Sequence, residues 1–196
     1  MTDRKTIDVY DARAADYAAR FGAPRPDPRL DAFIAALPAG GHVLDLGCGP
    51  GKAAAVMVAA GLQVTALDAS AEMARLAREQ HGIEVTVAGF DAIEGEALFD
   101  GVWASFSLLH AEREDMPRHL AALHRALKPG GRLMLGLKRG AGTHRDGIGR
   151  RYTFYEAEDL APLLATAGFT VTETELGEEA GLDGTVSPWI ITHAHA

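Results

Sequence analysis

Val43–Gly51 reads VLDLGCGPG, a strand-like apolar start that runs straight into three glycines and a proline. A strand that ends in glycines and opens a helix exposes its backbone. A ligand can then approach closely and meet the amide N–H groups of the helix start. In open α/β sheets, ligands bind beyond the carboxyl ends of the strands, where strand order reverses. Gly47, Gly49 and Gly51 are spaced G-x-G-x-G. The dinucleotide fingerprint, G-x-G-x-x-G, would need its third glycine where Lys52 stands. Asp45, inside the strand end, would repel a pyrophosphate and suits a ligand with positive charge at that place. The next apolar run, QVTALD, ends in Asp68, 17 residues after Gly51. A carboxylate there can accept both hydroxyl hydrogens of a ribose. The same residue could instead cap the following helix. The first reading predicts a nucleoside-containing cofactor and weakens a nicotinamide-dependent oxidoreductase.

Outward from this stretch, strand-sized and helix-sized runs alternate: HVLDLG, KAAAVMVAAG, QVTALD, SAEMARLAREQHG, EVTVAG, FDGVWASFSLL, MPRHLAALHRALKPGG and RLMLGLK. That rhythm predicts βαβ units, with a parallel sheet between helices. Ser70 is a candidate cap, and Gly61, Gly82 and Pro129-Gly130 are candidate helix stops. At the end, EDLAPLLATAGF reads as a helix starting near Asp159, because Pro162 would break a helix interior. Two strands follow, FTVTETELG and GTVSPWIITHAHA, joined by EEAGLDG, which predicts an antiparallel edge. Two helices precede the glycine stretch. One spans about Ile7 to Phe21, with Tyr10, Ala14, Tyr17 and Phe21 on one stripe; the other is capped by Asp27 with Pro28 at its first position. The expectation is one α/β domain over residues 1–196, with covering helices in 1–38 and the core in 40–193.

The chain has 196 residues and a formal net charge of -8, so sequence-independent binding to a phosphate backbone is disfavoured. Cys48 is the one cysteine, and no internal disulfide can form. The charged start MTDRKTIDVYD is not a secretory signal, and no apolar run approaches a membrane span. A soluble, cytoplasmic protein is expected.

VLDLGCGPG, followed in order by VTALDAS, VAGFDAI, FDGVWASFSLLH and LKPGGRLMLGLK, resembles the class I S-adenosylmethionine-dependent methyltransferases over about residues 40–193. The resemblance implies a Rossmann-like three-layer α/β/α sandwich. Its seven-stranded sheet has order 3-2-1-4-5-7-6, with strand 7 antiparallel. The cofactor implied is S-adenosylmethionine, and the product S-adenosylhomocysteine. Asp45 would hold the cofactor's amino group, and Gly47, Cys48 and Gly49 would pass under its ribose and methionine part. Asp68 would bind the ribose, Ala69 and Met73 would line the adenine, Phe90 would flank it, and Asp91 would accept from its exocyclic amine. Ser105 and Phe106 would face the methionine chain. Plainer readings stand beside these: Asp91 as a surface acid, Met73 as core, and Cys48 as a small filler with no adjacent base to make it a nucleophile.

Methyl transfer from a sulfonium needs positioning above all. His110, ending FSLLH after the fourth strand, is the candidate general base; the alternative is a histidine that anchors the next loop. Tyr10 and Tyr17, seven residues apart, share a helical face and resemble the segment that folds over the cofactor in small members of the family, though core packing explains the same spacing. Glu112, Glu114 and Asp115 read as a solvated stretch, and no metal is expected. After the fifth strand, KRGAGTHRDGIGRRYTFYEAEDL is long, glycine-rich and basic. Its Arg139, Arg145, Arg150 and Arg151 could pair with an anionic substrate or stay solvated, and its Tyr152, Phe154 and Tyr155 are expected to pack it onto the body. With no inserted cap domain, a small-molecule acceptor is the first reading. A nucleic acid or protein acceptor, and a non-catalytic cofactor-binding sensor, are the alternatives.

Overall fold

A computed structural model describes residues 3–21 and 27–196. In chain order the elements are α1 (Arg4–Ala12), α2 (Ala14–Phe21), α3 (Pro28–Ala35), β1 (His42–Leu46), α4 (Lys52–Ala59), β2 (Gln63–Asp68), α5 (Ala71–His81), β3 (Val85–Val87), β4 (Phe99–Ser105), α6 (Met116–Ala126), β5 (Leu127–Lys138), β6 (Thr143–Arg145), β7 (Arg151–Thr153), α7 (Ala157–Thr166), β8 (Thr170–Ala180) and β9 (Val186–His195). Seven strands form one sheet in the order β3-β2-β1-β4-β5-β9-β8. β1 to β5 are parallel, and β9 runs antiparallel to both β5 and β8. This is the order and polarity expected from the sequence.

Strand periodicity sorts the core into two layers. Val43, Trp103, Met134 and Ile191 pack with Leu30 and Phe33 of α3 and Met57 of α4. Their neighbours Leu44, Val102, Leu133, Leu135 and Ile190 pack with Leu120 and Leu123 of α6 and Leu160 and Leu164 of α7. Strands covered on both faces are apolar throughout, which is why these runs do not alternate in polarity. Each leucine so buried contributes about 1.5–3 kcal/mol. α1 and α2 lie apart from these layers, with Ala14 and Ala18 against Met73 and Leu76 of α5.

Several local expectations need correction. The first helix is two, broken at Arg13, whose φ of -117° and ψ of 17° leave the helical region. α6 stops at Ala126, before Pro129, and Leu127 to Gly130 already belong to β5. The proline disfavours helical backbone at Lys128, so the helix ends early. α7 starts at Ala157 and carries Pro162 in its interior. Pro162 is exposed, so the carbonyl it leaves without an N–H donor can turn to water. β8 runs on through Ala180, so the hairpin turn is only Gly181–Thr185. The basic segment after β5 is not plain loop: β6 and β7 form a small antiparallel hairpin of their own. Because β9 returns antiparallel beside β5, pairing Trp189 with Lys138, the β8–β9 turn lies at the carboxyl end of the parallel strands. Among the described residues no helix is long and apolar enough to cross a membrane.

Candidate active site

The carboxyl ends of β1, β2 and β4 converge on a cleft lined by Gly47, Gly49, Asp68, Ala69, Met73, Phe90, Ser105, Phe106 and His110, with Tyr10 and Tyr17 above. A second hollow meets it at Gly47, Gly49, Ser105 and Tyr17, and holds Asp45, Cys48 and Lys52. The glycine turn has local causes. Gly47 has φ +70°, and a Cβ there would lie 2.3 Å from the Ser107 Cβ, so only glycine fits. Gly47 and Cys48 donate N–H to the Leu67 carbonyl, at 2.7 and 3.1 Å, which folds the turn against β2.

Asp68 accepts the Gly49 N–H at 2.8 Å and the Ser70 N–H at 2.8 Å, one on each carboxylate oxygen. It does not cap α5. Ser70 does, accepting the Met73 N–H at 3.1 Å. With two of about four lone-pair sites filled, the Asp68 carboxylate can still accept from hydroxyls in the cleft. Its pKa is raised, because burial outweighs the backbone donors. Asp45 is 2% exposed, and its Oδ2 has no hydrogen-bond partner. Burial, and then the charge of Asp68, push Asp45 up to about 7. Ser107 Oγ is a second buried polar atom without a partner. A donor bearing positive charge would satisfy Asp45, and a neighbouring donor or acceptor would satisfy Ser107.

The lid over the cleft is held by polar contacts. Asp11 of α1 accepts from Ser70 Oγ at 2.6 Å and from the Glu72 N–H at 3.3 Å. Thr6, 3% exposed, accepts the Arg151 N–H at 2.9 Å. Tyr10 and Tyr17 stack edge-on, with ring centroids 5.9 Å apart. His110 is buried at the cleft floor, and both its ring nitrogens are engaged. Nδ1 lies 2.5 Å from the Arg151 carbonyl, and Nε2 lies 2.9 Å from Tyr10 Oη. A carbonyl can only accept, so Nδ1 carries the proton and bare Nε2 accepts the Tyr10 hydroxyl. Arg150 Nη1 donates to Tyr10 Oη at 3.1 Å, completing a chain from guanidinium to carbonyl. Burial lowers the His110 pKa to about 4. His110 is therefore neutral near pH 7, and at the cleft floor its Nε2 is occupied by Tyr10.

Some expected residues lie elsewhere. Asp91 turns out of the cleft and pairs with Arg118 at 2.7 Å, its side chain 54% exposed. The 3₁₀ turn Phe90–Ala92 aims Phe90 inward and its neighbour outward. The four loop arginines all have internal partners: Arg139 pairs with Glu156, Arg145 with Asp3, Arg150 with Asp146 and Arg151 with Glu112. They hold the β6–β7 hairpin to the body, assisted by the buried Tyr152 and Tyr155 and by half-buried Phe154. Among the described residues no group of three or more His, Cys, Asp or Glu side chains is arranged to hold a metal. Burial pushes the Cys48 thiol far up, so it stays protonated.

A methyltransferase domain family matches residues 43–131. The ubiquinone/menaquinone biosynthesis C-methyltransferase of Rubrivivax gelatinosus is 37% identical over 134 residues, 64% of this chain and 53% of that one. An O-methyltransferase of Penicillium expansum is 34% identical over 152 residues, 68% of this chain and 54% of that one. The chain thus spans about half the length of the curated relatives it matches. The crystal structure of the Burkholderia thailandensis 1,6-didemethyltoxoflavin-N1-methyltransferase, with bound 1,6-didemethyltoxoflavin and S-adenosylhomocysteine, superposes with a TM-score of 0.74 at 24% identity, covering 96% of this chain and 87% of that one. Residues 43–131 match a methyltransferase domain, and the chain as a whole has the fold of the S-adenosylmethionine-dependent methyltransferases. Within this fold, Thr6 and Ser107 line the cleft and Asp11 fastens α1 beside it, three residues absent from the sequence expectations. Ser107 carried a readable signal, standing two residues past Ser105 at the same strand end. Thr6 and Asp11 carried none, because their partners lie on distant segments.

Proposed function

We propose that this protein transfers a methyl group from S-adenosylmethionine to a small-molecule acceptor. The observation that carries this reading is Asp45, a buried carboxylate with an unpartnered oxygen beside the glycine turn. Asp45 would hold the cofactor's ammonium, and Asp68 its ribose hydroxyls. Ala69, Met73 and Phe90 would enclose the adenine, and Gly47, Cys48, Gly49, Ser105 and Phe106 would flank the ribose and methionine part. When bound, S-adenosylmethionine supplies an electrophilic methyl on a sulfonium. Tyr10 and Tyr17 would close over it, exclude water and align the acceptor, an effect that can contribute about 7–11 kcal/mol. Where the acceptor must lose a proton, Tyr10 Oη would take it while passing its own to His110 Nε2. His110 then acts through Tyr10, not on the acceptor directly.

Internal pairing of the loop arginines weighs against a nucleic-acid acceptor, because those cations are already neutralised. The similar proteins include carbon, oxygen and nitrogen methyltransferases. A cytoplasmic setting accords with the absence, among the described residues, of a membrane-crossing helix. Melting with S-adenosylmethionine, S-adenosylhomocysteine and NAD in parallel tests the reading. A ligand at about 100 times its dissociation constant adds about 2.7 kcal/mol. Stabilisation by the first two alone is expected; stabilisation by NAD alone would overturn the proposal.

A further inference from the structure

Beyond Tyr10, Tyr17 and Phe106 the cleft continues into a further hollow. Its walls include Phe21, Leu109 and Tyr152, and its far end reaches Lys138 and the β8–β9 turn. The near walls are aromatic, which suits a flat ring. Lys138 ends β5 and also borders the next hollow, beside the β6–β7 hairpin. Its ammonium donates to the neutral Ser187 Oγ at 2.5 Å. Among the described residues no carboxylate stands within 4.0 Å of it. The charged groups that influence it from farther off are Glu179 and Asp183, which favour its protonation, and Arg150, which opposes it. Burial is the largest influence and pulls its pKa down. Arg145, Arg150 and Arg151, by contrast, each hold a carboxylate within the protein. At this end of the hollow the lysine has no carboxylate in ion-pair contact, although Glu179 lines the same hollow and acts on it from farther off.

We propose that Lys138 recognises an anionic oxygen on a flat, ring-containing acceptor seated against Tyr10, Tyr17 and Phe106. This rests on the methyl-transfer reading of the neighbouring cleft, since it names the acceptor for that reaction. An anion there would gain a charge-assisted hydrogen bond in a half-buried site, and a neutral ring would leave the ammonium with the Ser187 hydroxyl as its hydrogen-bond partner.

The test uses two probes of nearly equal shape, 4-hydroxybenzoate and 4-hydroxybenzamide. Both are titrated calorimetrically into the whole protein, with and without S-adenosylhomocysteine. The carboxylate is expected to bind at least about tenfold more tightly than the amide. Lys138→Met should bring the two within about twofold, and Lys138→Arg should keep the preference. Equal affinities in the unaltered protein, binding of neither probe, or a preference that survives Lys138→Met would overturn the proposal. S-adenosylhomocysteine affinity, read in the same samples, should not change with Lys138→Met. If S-adenosylhomocysteine does not bind at all, the methyl-transfer reading fails. The probe preference measured without it still judges Lys138.

Discussion

On the glycine-turn wall of the cleft, Asp45 and Asp68 face no cation within ion-pair reach among the described residues. On the facing wall, Asp3, Asp146 and Glu112 each hold an arginine. The first wall has its backbone fixed and its charges open; Gly47 cannot be replaced, yet Asp45 Oδ2 has no partner. The second wall has its charges closed, and the closure joins α1 to the β6–β7 hairpin. A wall that leaves buried carboxylates unmatched is built around something it does not itself contain. A wall that matches every charge is built to hold its own shape.

Breaking the closed wall should give the largest effect. Arg150 is 3% exposed, pairs with Asp146 at 2.7 Å and donates to Tyr10. Arg150→Met strands the Asp146 carboxylate and should cost about 3–5 kcal/mol in urea unfolding. A loss below about 1 kcal/mol would mean that this wall is not held by its charges. On the open wall the effect should appear in binding. Asp68→Ala should weaken S-adenosylhomocysteine about 100-fold, near 2.7 kcal/mol by calorimetry, with the protein still folded. Unchanged affinity would end the ribose assignment.

A pH titration sharpens the contrast further. Asp45 titrates at about 7 in the fold against 3.8 ordinarily, so between those values the native state holds a proton that the unfolded chain has released. Stability from this group therefore falls as pH rises towards 7, by at most about 1.4 kcal/mol per unit. His110 titrates at about 4 against 6.5, so the unfolded chain takes up a proton that the native state refuses. Its contribution is present above pH 6.5 and is lost as pH falls towards 4. The two slopes oppose each other in the unaltered protein. Unfolding measured from pH 4 to 7 should lose the Asp45 contribution in Asp45→Asn and the His110 contribution in His110→Gln, on a background from Asp68 and His119 that both variants keep. Identical profiles in both variants would sink the assignment. The smallest effect belongs to Arg145→Gln. Its bond to Asp3 is 2.8 Å, but the arginine is 38% exposed, so melting should report less than about 1 kcal/mol.

The open wall was legible in the sequence because local chemistry dictates it. Glycines at fixed spacing after a strand, and acids at two strand ends, need only their own neighbours to be read. Sheet order and its antiparallel edge followed from the same run of strands and from the resemblance they carry. The closed wall was not legible, because its bonds join segments far apart in sequence. Arg145 and Asp3 are 142 residues apart, and Arg150 and Tyr10 are 140 apart. A basic glycine-rich segment looks the same whether its arginines await a ligand or already hold carboxylates. Asp91 failed for a finer reason. Its place in the chain was right, but a 3₁₀ turn decides which of two adjacent side chains enters the cleft. Pro162 was misjudged because only three-dimensional exposure shows that the lost hydrogen bond faces water.

The reversed strand β9, one in from the sheet edge, has a consequence for where change can be tolerated. Had β9 run parallel to its neighbours, the turn before it would close at the opposite end, far from the chemistry. Running antiparallel, it delivers Gly181–Thr185 to the rim of the acceptor hollow, where Gly181 and Leu182 form part of the wall. That turn joins the edge strand β8 to its neighbour β9 and shares no residue with the glycine turn. Insertions and replacements there can reshape the hollow while the glycine turn and its two acids stay untouched. One strand's direction thus places a replaceable turn and an irreplaceable one at the same end of the sheet.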